Sequence, residues 1–208
     1  IRRQRQMCIR DRSTLEIPLS NDTSSEFGTI TSCNNQDICW VEGLLSTIYD
    51  VFLDQIVDGQ IYTKGTGERD PSREHWTRLH ELNLAQNALL VFDRGYYSKE
   101  LYEDLVSDGC HVLMRLNKGN HLTRLGSDDF SWTAASADGK PVLYRIVRVP
   151  LPEQSNEEAE YLVTNITDPS ISPALLYNLY FERWNIETKY RELKEWWELE
   201  EFLSLIHI

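Results

Sequence analysis

The order of apolar patterns along this chain predicts an α/β fold: a mixed sheet flanked by helices, with a β-rich insertion before a last long helix. Three observations predict it. Ala88-Leu89-Leu90-Val91-Phe92 is a continuous apolar run ending at Asp93, the pattern of a strand buried on both faces. Strand-like segments are interrupted by segments of helical spacing, the order that gives sheets with helices packed on them. Ser172-Pro173 is an N-cap followed by proline at the first helical position, and the pattern stays helical to about Glu200.

The elements follow in order. Ser13-Thr14-Leu15-Glu16-Ile17-Pro18 alternates in the strand period and stops at proline. The polar stretch from Ser20 to Asp37 reads as a loop. Ile38–Phe52 and Leu53–Thr63 are rich in Ile, Val, Leu, Tyr and Phe and read as two long strands. Lys64-Gly65-Thr66-Gly67 is a turn without the Gly-Lys-Ser/Thr ending of a phosphate loop. Ser72–Asn83 has helical spacing through Trp76, Leu79 and Leu82. Ser98 caps a helix over Lys99–Ser107, with Gly109 near its stop, and Cys110–Leu116 is a further apolar strand. From there to Thr167 the signal is β-like, notably at Pro141–Val149 and Glu160–Asn165. Turns are expected at Asn117-Lys118-Gly119-Asn120 and Asp138-Gly139-Lys140.

Composition bounds the function. With 41% hydrophobic and 26% charged residues in 208, the chain has a globular profile, which excludes a disordered or collagenous one. No apolar run approaches the ~18–20 residues of a membrane span, so no membrane role is expected. Four cysteines (Cys8, Cys33, Cys39, Cys110) form no C-x-x-C pair, which argues against a structural zinc and points to a reducing cytoplasm. The formal charge of −12 argues, on average, against nucleic acid. Local field differs. Gly109 to Ser127 holds no acid, while Arg115, Lys118 and Arg124 are basic; a solvated surface is the other reading of this run.

The two ends stand apart. Met7-Cys8-Ile9-Arg10-Asp11-Arg12 and Leu203-Ser204-Leu205-Ile206-His207-Ile208 resemble translated sequencing-adapter DNA. Residues 1–12 and 203–208 are therefore expected to be non-native tails around an internal fragment; a basic amino-terminal arm is the alternative for the first. Between them, 13–116 would form the first part of the core, 117–167 the β-rich insertion and 168–202 the helix that completes the core.

The last helix carries the chemistry. At roughly 100° per residue, Tyr180, Arg183, Glu187 and Lys194 fall on one narrow face. Leu179, Ile186, Tyr190, Leu193 and Trp197 form the apolar face beside it. Spacing alone also allows a rim of ion pairs on an amphipathic helix. Asp93 ends a buried strand and precedes Arg94-Gly95, where open α/β sheets bind ligands; an Asp opening a turn is the other reading. Two carboxylates converging from separate elements can hold divalent cations, and two such cations serve phosphodiester chemistry. The five histidines (His75, His80, His111, His121, His207) show no metal spacing, and a polar partner is the expected fate of each.

Tyr180-x2-Arg183-x3-Glu187-x6-Lys194 resembles the Y-x2-R-x3-E-x6-K signature of DDE transposases from bacterial insertion sequences. Val91-Phe92-Asp93-Arg94-Gly95-Tyr96-Tyr97 resembles that family's second-aspartate strand, and Ser13–Pro18 the segment after its first aspartate. The resemblance implies an RNase H-like core and an enzyme that cuts double-stranded DNA at transposon ends and joins it to target DNA. It implies Asp93 and Glu187 as catalytic metal ligands, with Asp11 aligned to the first acid, around Mg²⁺ or Mn²⁺ in a two-metal site. Tyr180, Arg183 and Lys194 would contact phosphates. Arg115 and Lys118 are candidates for backbone phosphate or for plain solvent exposure. Tyr161 would stack on a base flipped from the transposon end, or pack in the core. A homodimer of the full-length protein and a cytoplasmic, nucleoid-associated setting are implied too. Two other functions remain to be separated: an inactive remnant that only binds DNA, and an RNase H-like nuclease of another substrate.

Overall fold

In a computed structural model the described residues are 7–32, 39–67, 69–85, 88–125, 128–151 and 158–196, with backbone alone at Arg10, Asp11, Arg69 and Trp196. Among them nine strands form one sheet. They are β1 (Met7–Ile17), β2 (Ile30–Thr31), β3 (Cys39–Asp50), β4 (Gln55–Thr63), β5 (Leu89–Phe92), β6 (His111–Arg115), β7 (Asp129–Ala135), β8 (Pro141–Pro150) and β9 (Ala159–Thr164). The order is β2-β3-β1-β5-β6-β9-β8-β7, with β4 on β3. β1, β5 and β6 run parallel; the other pairings are antiparallel. This is the mixed, RNase H-like sheet that the sequence predicts.

β1 takes in residues that the sequence sets apart. Residues 7–12, set aside as a foreign tail, begin a strand that is hydrogen-bonded to β3 on one side and β5 on the other. The reason is burial: Met7, Cys8 and Ile9 are almost fully enclosed. Met7 and Ile9 face one core and Cys8 the other, as alternation in a strand requires. Residues 1–6 and 203–208 lie outside the described residues. β1 stops before Pro18, as predicted.

The stretch read as a loop holds a short helix, α1 (Asn21–Phe27), and β2. Seven residues are too few to show an amphipathic period. The helix stands on a reciprocal cap: the Thr23 N–H donates to Ser20 Oγ, and the Ser20 N–H to Thr23 Oγ1. The strand pair β3–β4, helix α2 (Arg69–Glu81), strand β5, helix α3 (Lys99–Ser107) and strand β6 fall close to their predicted spans. Ser98 caps α3, and Gly109 follows it at φ +84°, a conformation glycine adopts without strain.

The β-rich insertion does not form a layer of its own. β9 pairs antiparallel with β6, and β8 and β7 follow, so residues 129–164 extend the central sheet. Helices cover both faces. On one, Trp76 and Leu79 of α2 and Leu101, Tyr102 and Leu105 of α3 pack with Leu90, Phe92 and Met114. On the other, Leu176, Tyr180, Ile186 and Tyr190 pack with Ile9, Val91, Leu113 and Leu162.

The last helix departs from the continuous pattern expected of it. It is not continuous. α4 (Pro173–Phe181) and α5 (Trp184–Arg191) meet at Glu182-Arg183, and a π-wound turn, Glu192–Trp196, follows. At the junction the N–H groups of Arg183, Asn185 and Ile186 donate to Tyr180, Glu182 and Arg183, three residues back. Such tighter winding shifts the angular register, so one 100° wheel does not describe both halves. Ser172 caps α4 as predicted. Trp197 and the Trp196 side chain lie outside the described residues.

Candidate active site

Asp93 sits just past the end of β5 and opens a turn in which the Tyr96 N–H donates to its carbonyl. Its Oδ1 accepts the Arg94 N–H at 2.7 Å and the Tyr180 hydroxyl, from α4, at 2.8 Å. Its Oδ2 faces the Arg183 guanidinium at 4.0 Å and has no closer partner among the described residues. Burial pushes the Asp93 carboxyl up; the Tyr180 hydrogen bond, the Arg94 N–H and the nearby Arg183 and Arg115 outweigh it and hold the value below the usual range. Asp93 is thus a carboxylate at neutral pH. Burial first, then the Asp93 charge, pushes the Tyr180 phenol well up, so it stays a donor.

Arg183 is buried where the wheel placed it on a rim. Its side chain is only 7% exposed, against 40% for Glu187, whose Oε1 lies 3.3 Å from Arg183 Nη1. The guanidinium also lies over the rings of Tyr180 and Trp184, 5.9 and 5.2 Å from their centroids. The tight junction between α4 and α5 carries it there. One guanidinium therefore stands between the two carboxylates that the sequence singled out, Asp93 and Glu187.

Arg115, at the end of β6, joins this cluster rather than open solvent. Its Nη2 pairs with Glu160 Oε1 of β9 at 2.8 Å, both side chains being largely enclosed. Burial lowers its pKa; Glu160 first, then Tyr180 and Asp93, more than restore it. Asp11 lies on β1 opposite Thr47, one residue past Arg10, the partner of Phe92. In that register its backbone is level with Asp93, at the same end of the sheet; its side chain is outside the described residues.

The other candidates lie farther out. Lys194 donates to the Thr14 carbonyl of β1, tying the π-wound turn to that strand. Lys118 and Tyr161 line a separate cavity of about 420 Å³ with Thr123, Arg124, Arg148 and Glu158. The structure brings together Asp93, Tyr180, Arg183, Glu187 and Arg115; Lys194 reaches β1, and Lys118 and Tyr161 line the other cavity. Among the described residues no three acids, histidines or cysteines form a metal-sized group. Sequence reasoning missed Glu160, because its partner is found only through the register of β9 on β6.

Comparison with known proteins places this geometry. The family described as "Transposase DDE domain" matches residues 4–205. No curated protein matches the sequence. Among solved structures, a piggyBac transposase synaptic complex with hairpin DNA matches with a TM-score of 0.54 at 10% identity, covering 90% of this chain and 40% of that one. This chain thus spans less than half of that transposase chain, and the likeness is one of fold. The catalytic domain of human Endonuclease V matches with a TM-score of 0.39 at 11% identity, covering 95% of this chain and 86% of that one.

Proposed function

This chain belongs to the transposase DDE domain family, and on that premise we propose that it catalyses metal-dependent phosphodiester hydrolysis and strand transfer at transposon ends. The observation that carries the reading is the meeting of Asp93, Tyr180, Arg183 and Glu187 at one end of the sheet.

DDE transposases use divalent metal ions. The donor set here fits such an ion: Asp93 is ionised with Oδ2 turned to a cationic group, and Glu187 is partly open to solvent. Carboxylate oxygens suit hard cations. Asp93, Glu187 and, from the neighbouring strand, Asp11 would hold Mg²⁺ or Mn²⁺ in a two-metal site. Bound there, the ions would activate a water and stabilise the leaving oxygen. The chain's own residues do the rest. Arg183 presents a planar donor fork suited to a phosphate, and Tyr180 adds a hydroxyl beside it. Lys194 would contact a phosphate of the transposon end and Lys118 the backbone phosphate, while Tyr161, which also packs against the core, would stack on a flipped base. In the first step water attacks phosphorus and the bond to the 3′ oxygen breaks, leaving a 3′-hydroxyl. In the second that hydroxyl attacks a target phosphorus and displaces another 3′ oxygen.

The finer reading is a bacterial insertion-sequence transposase. It would act on double-stranded transposon-end and target DNA in the cytoplasm, at the nucleoid, as a dimer when full-length. The Tyr180–Arg183–Glu187–Lys194 spacing supports it. The test is cleavage of labelled transposon-end DNA with Mg²⁺ or Mn²⁺. Metal ligation contributes several kcal/mol, so Asp93→Asn and Glu187→Gln should each slow cleavage about a hundredfold or more. Binding without cleavage, or cleavage indifferent to both substitutions, overturns the proposal.

A further inference from the structure

We infer that Glu160 is a positioning residue: through Arg115 it holds the Tyr180 hydroxyl on Asp93, so that strand β9 of the insertion sets the geometry of the active site. The inference rests on the function proposed above, which gives Glu160 no part.

The placement follows from strand register. Arg115 is opposite Leu162, and the Leu116 N–H donates to the Tyr161 carbonyl at 2.8 Å. Glu160 is two residues from Leu162, so it shares a face with it and is the diagonal neighbour of Arg115. Leu113 and Leu162, on that same face, pack in the core with Tyr180. The Arg115–Glu160 pair therefore lies on the face that α4 covers. Both partners are shielded, with side chains 14% and 12% exposed, so the pair is not a solvated surface contact. Its field reaches Tyr180 and Asp93 on one side and Tyr177, one turn earlier on α4, on the other.

Charge balance gives Glu160 its role. Phe92 pairs with Met114 in the parallel β5–β6 ladder, so the next residues, Asp93 and Arg115, lie level on neighbouring strands, and Arg115 beside an ionised Asp93 needs a carboxylate of its own. With Glu160 present, Arg115 is held beside Tyr180, and Asp93 keeps the Tyr180 hydroxyl on Oδ1 with Oδ2 towards Arg183. Without it, Arg115 turns onto Asp93, competing with Tyr180 and with any cation bound there.

Two measurements on the whole chain test this. The first needs no activity: the Asp93 carboxyl ¹³C resonance at pH 7, identified by its loss in Asp93→Asn. It should move in Glu160→Gln, return towards its original position in Glu160→Asp, and fail to move when Glu160→Gln is made in a Tyr180→Phe background. An Asp93 signal unchanged by Glu160→Gln, or moved equally with and without the Tyr180 hydroxyl, overturns the inference. The second is Mn²⁺-dependent nicking of supercoiled plasmid. Glu160→Gln should raise the Mn²⁺ needed for half-maximal nicking about tenfold, and the effect should not add to that of Tyr180→Phe. If Asp93→Asn leaves nicking intact, the proposed function fails while the resonance still decides on Glu160. If Asp93→Asn abolishes nicking and Glu160→Gln changes nothing, the inference alone fails.

Discussion

Asp93 shows how one side chain is tuned by residues far away in sequence. Burial alone would raise its pKa, and four neighbours reverse the sign, Tyr180 first among them. Removing the Tyr180 hydroxyl leaves the burial in place and takes away the largest opposing influence. In Tyr180→Phe the Asp93 pKa should therefore rise, measured by ¹³C titration of its carboxyl; an unchanged value would mean that Arg94 and the arginines suffice. The linkage has a definite sign. An unfolded Asp titrates near about 3.9, and folded Asp93 titrates lower, so its ionised form contributes stability above that pH. The contribution is lost as pH falls through the folded value. Asp93, Tyr180, Arg183 and Glu187 were legible in the sequence, because three of them share a short helical spacing and the fourth ends an apolar run. Arg115 and Glu160 were not legible as a pair, since 45 positions and a strand register separate them.

At the level of elements, α2 is fastened to the β3–β4 hairpin by a buried polar relay. His75, fully enclosed, lies between Ser46 Oγ at 2.9 Å and Asp58 Oδ2 at 2.5 Å, and Arg78 Nε donates to the same carboxylate at 2.8 Å. The arrangement has the composition of a nucleophilic triad, but Ser46 is 1% exposed, so no substrate reaches it. Its effect is structural. His75→Ala leaves a buried carboxylate and hydroxyl short of a partner, so stability should fall by about 1–3 kcal/mol in urea denaturation. A loss near zero would mean that water replaces the ring. The sequence reading foresaw a polar partner for His75 but could not name it. Strand and helix spans followed from side-chain period or from continuous apolar runs of five residues or more. Helix α1 escaped because its signal is a two-residue cap, and the break at Glu182-Arg183 escaped because neither residue is a helix breaker. The tertiary contact of Arg183 with Asp93 and its local one with Glu187 accompany that break.

For the molecule as a whole, β1 is the strand on which the two halves of the sheet meet. It gives hydrogen bonds to β3 over ten register pairs and to β5 over four, the latter all within Met7–Arg10. A chain beginning at Ser13 would keep part of the β3 pairing and lose every link to β5. Such a chain should lack cooperative thermal unfolding and near-ultraviolet circular dichroism. Retention of both would show that β5 finds another partner. The negative net charge also takes its place at this scale. Acid dominates the average, while cations gather at the sheet end beside Asp93 and in the cavity lined by Lys118, Arg124 and Arg148.

Local pattern in the amino-acid sequence was enough to determine the α/β class, most strands and the caps of α3 and α4, and it singled out four residues of the candidate site. Each of these depends on neighbours within a few positions, through side-chain period, cap chemistry or helical spacing. Only the folded structure decided that residues 7–12 complete the central strand, that the insertion lengthens the same sheet, and that Arg115 answers to Glu160. Those outcomes depend on which strands lie side by side and in what register, and that choice is made by burying the whole core at once.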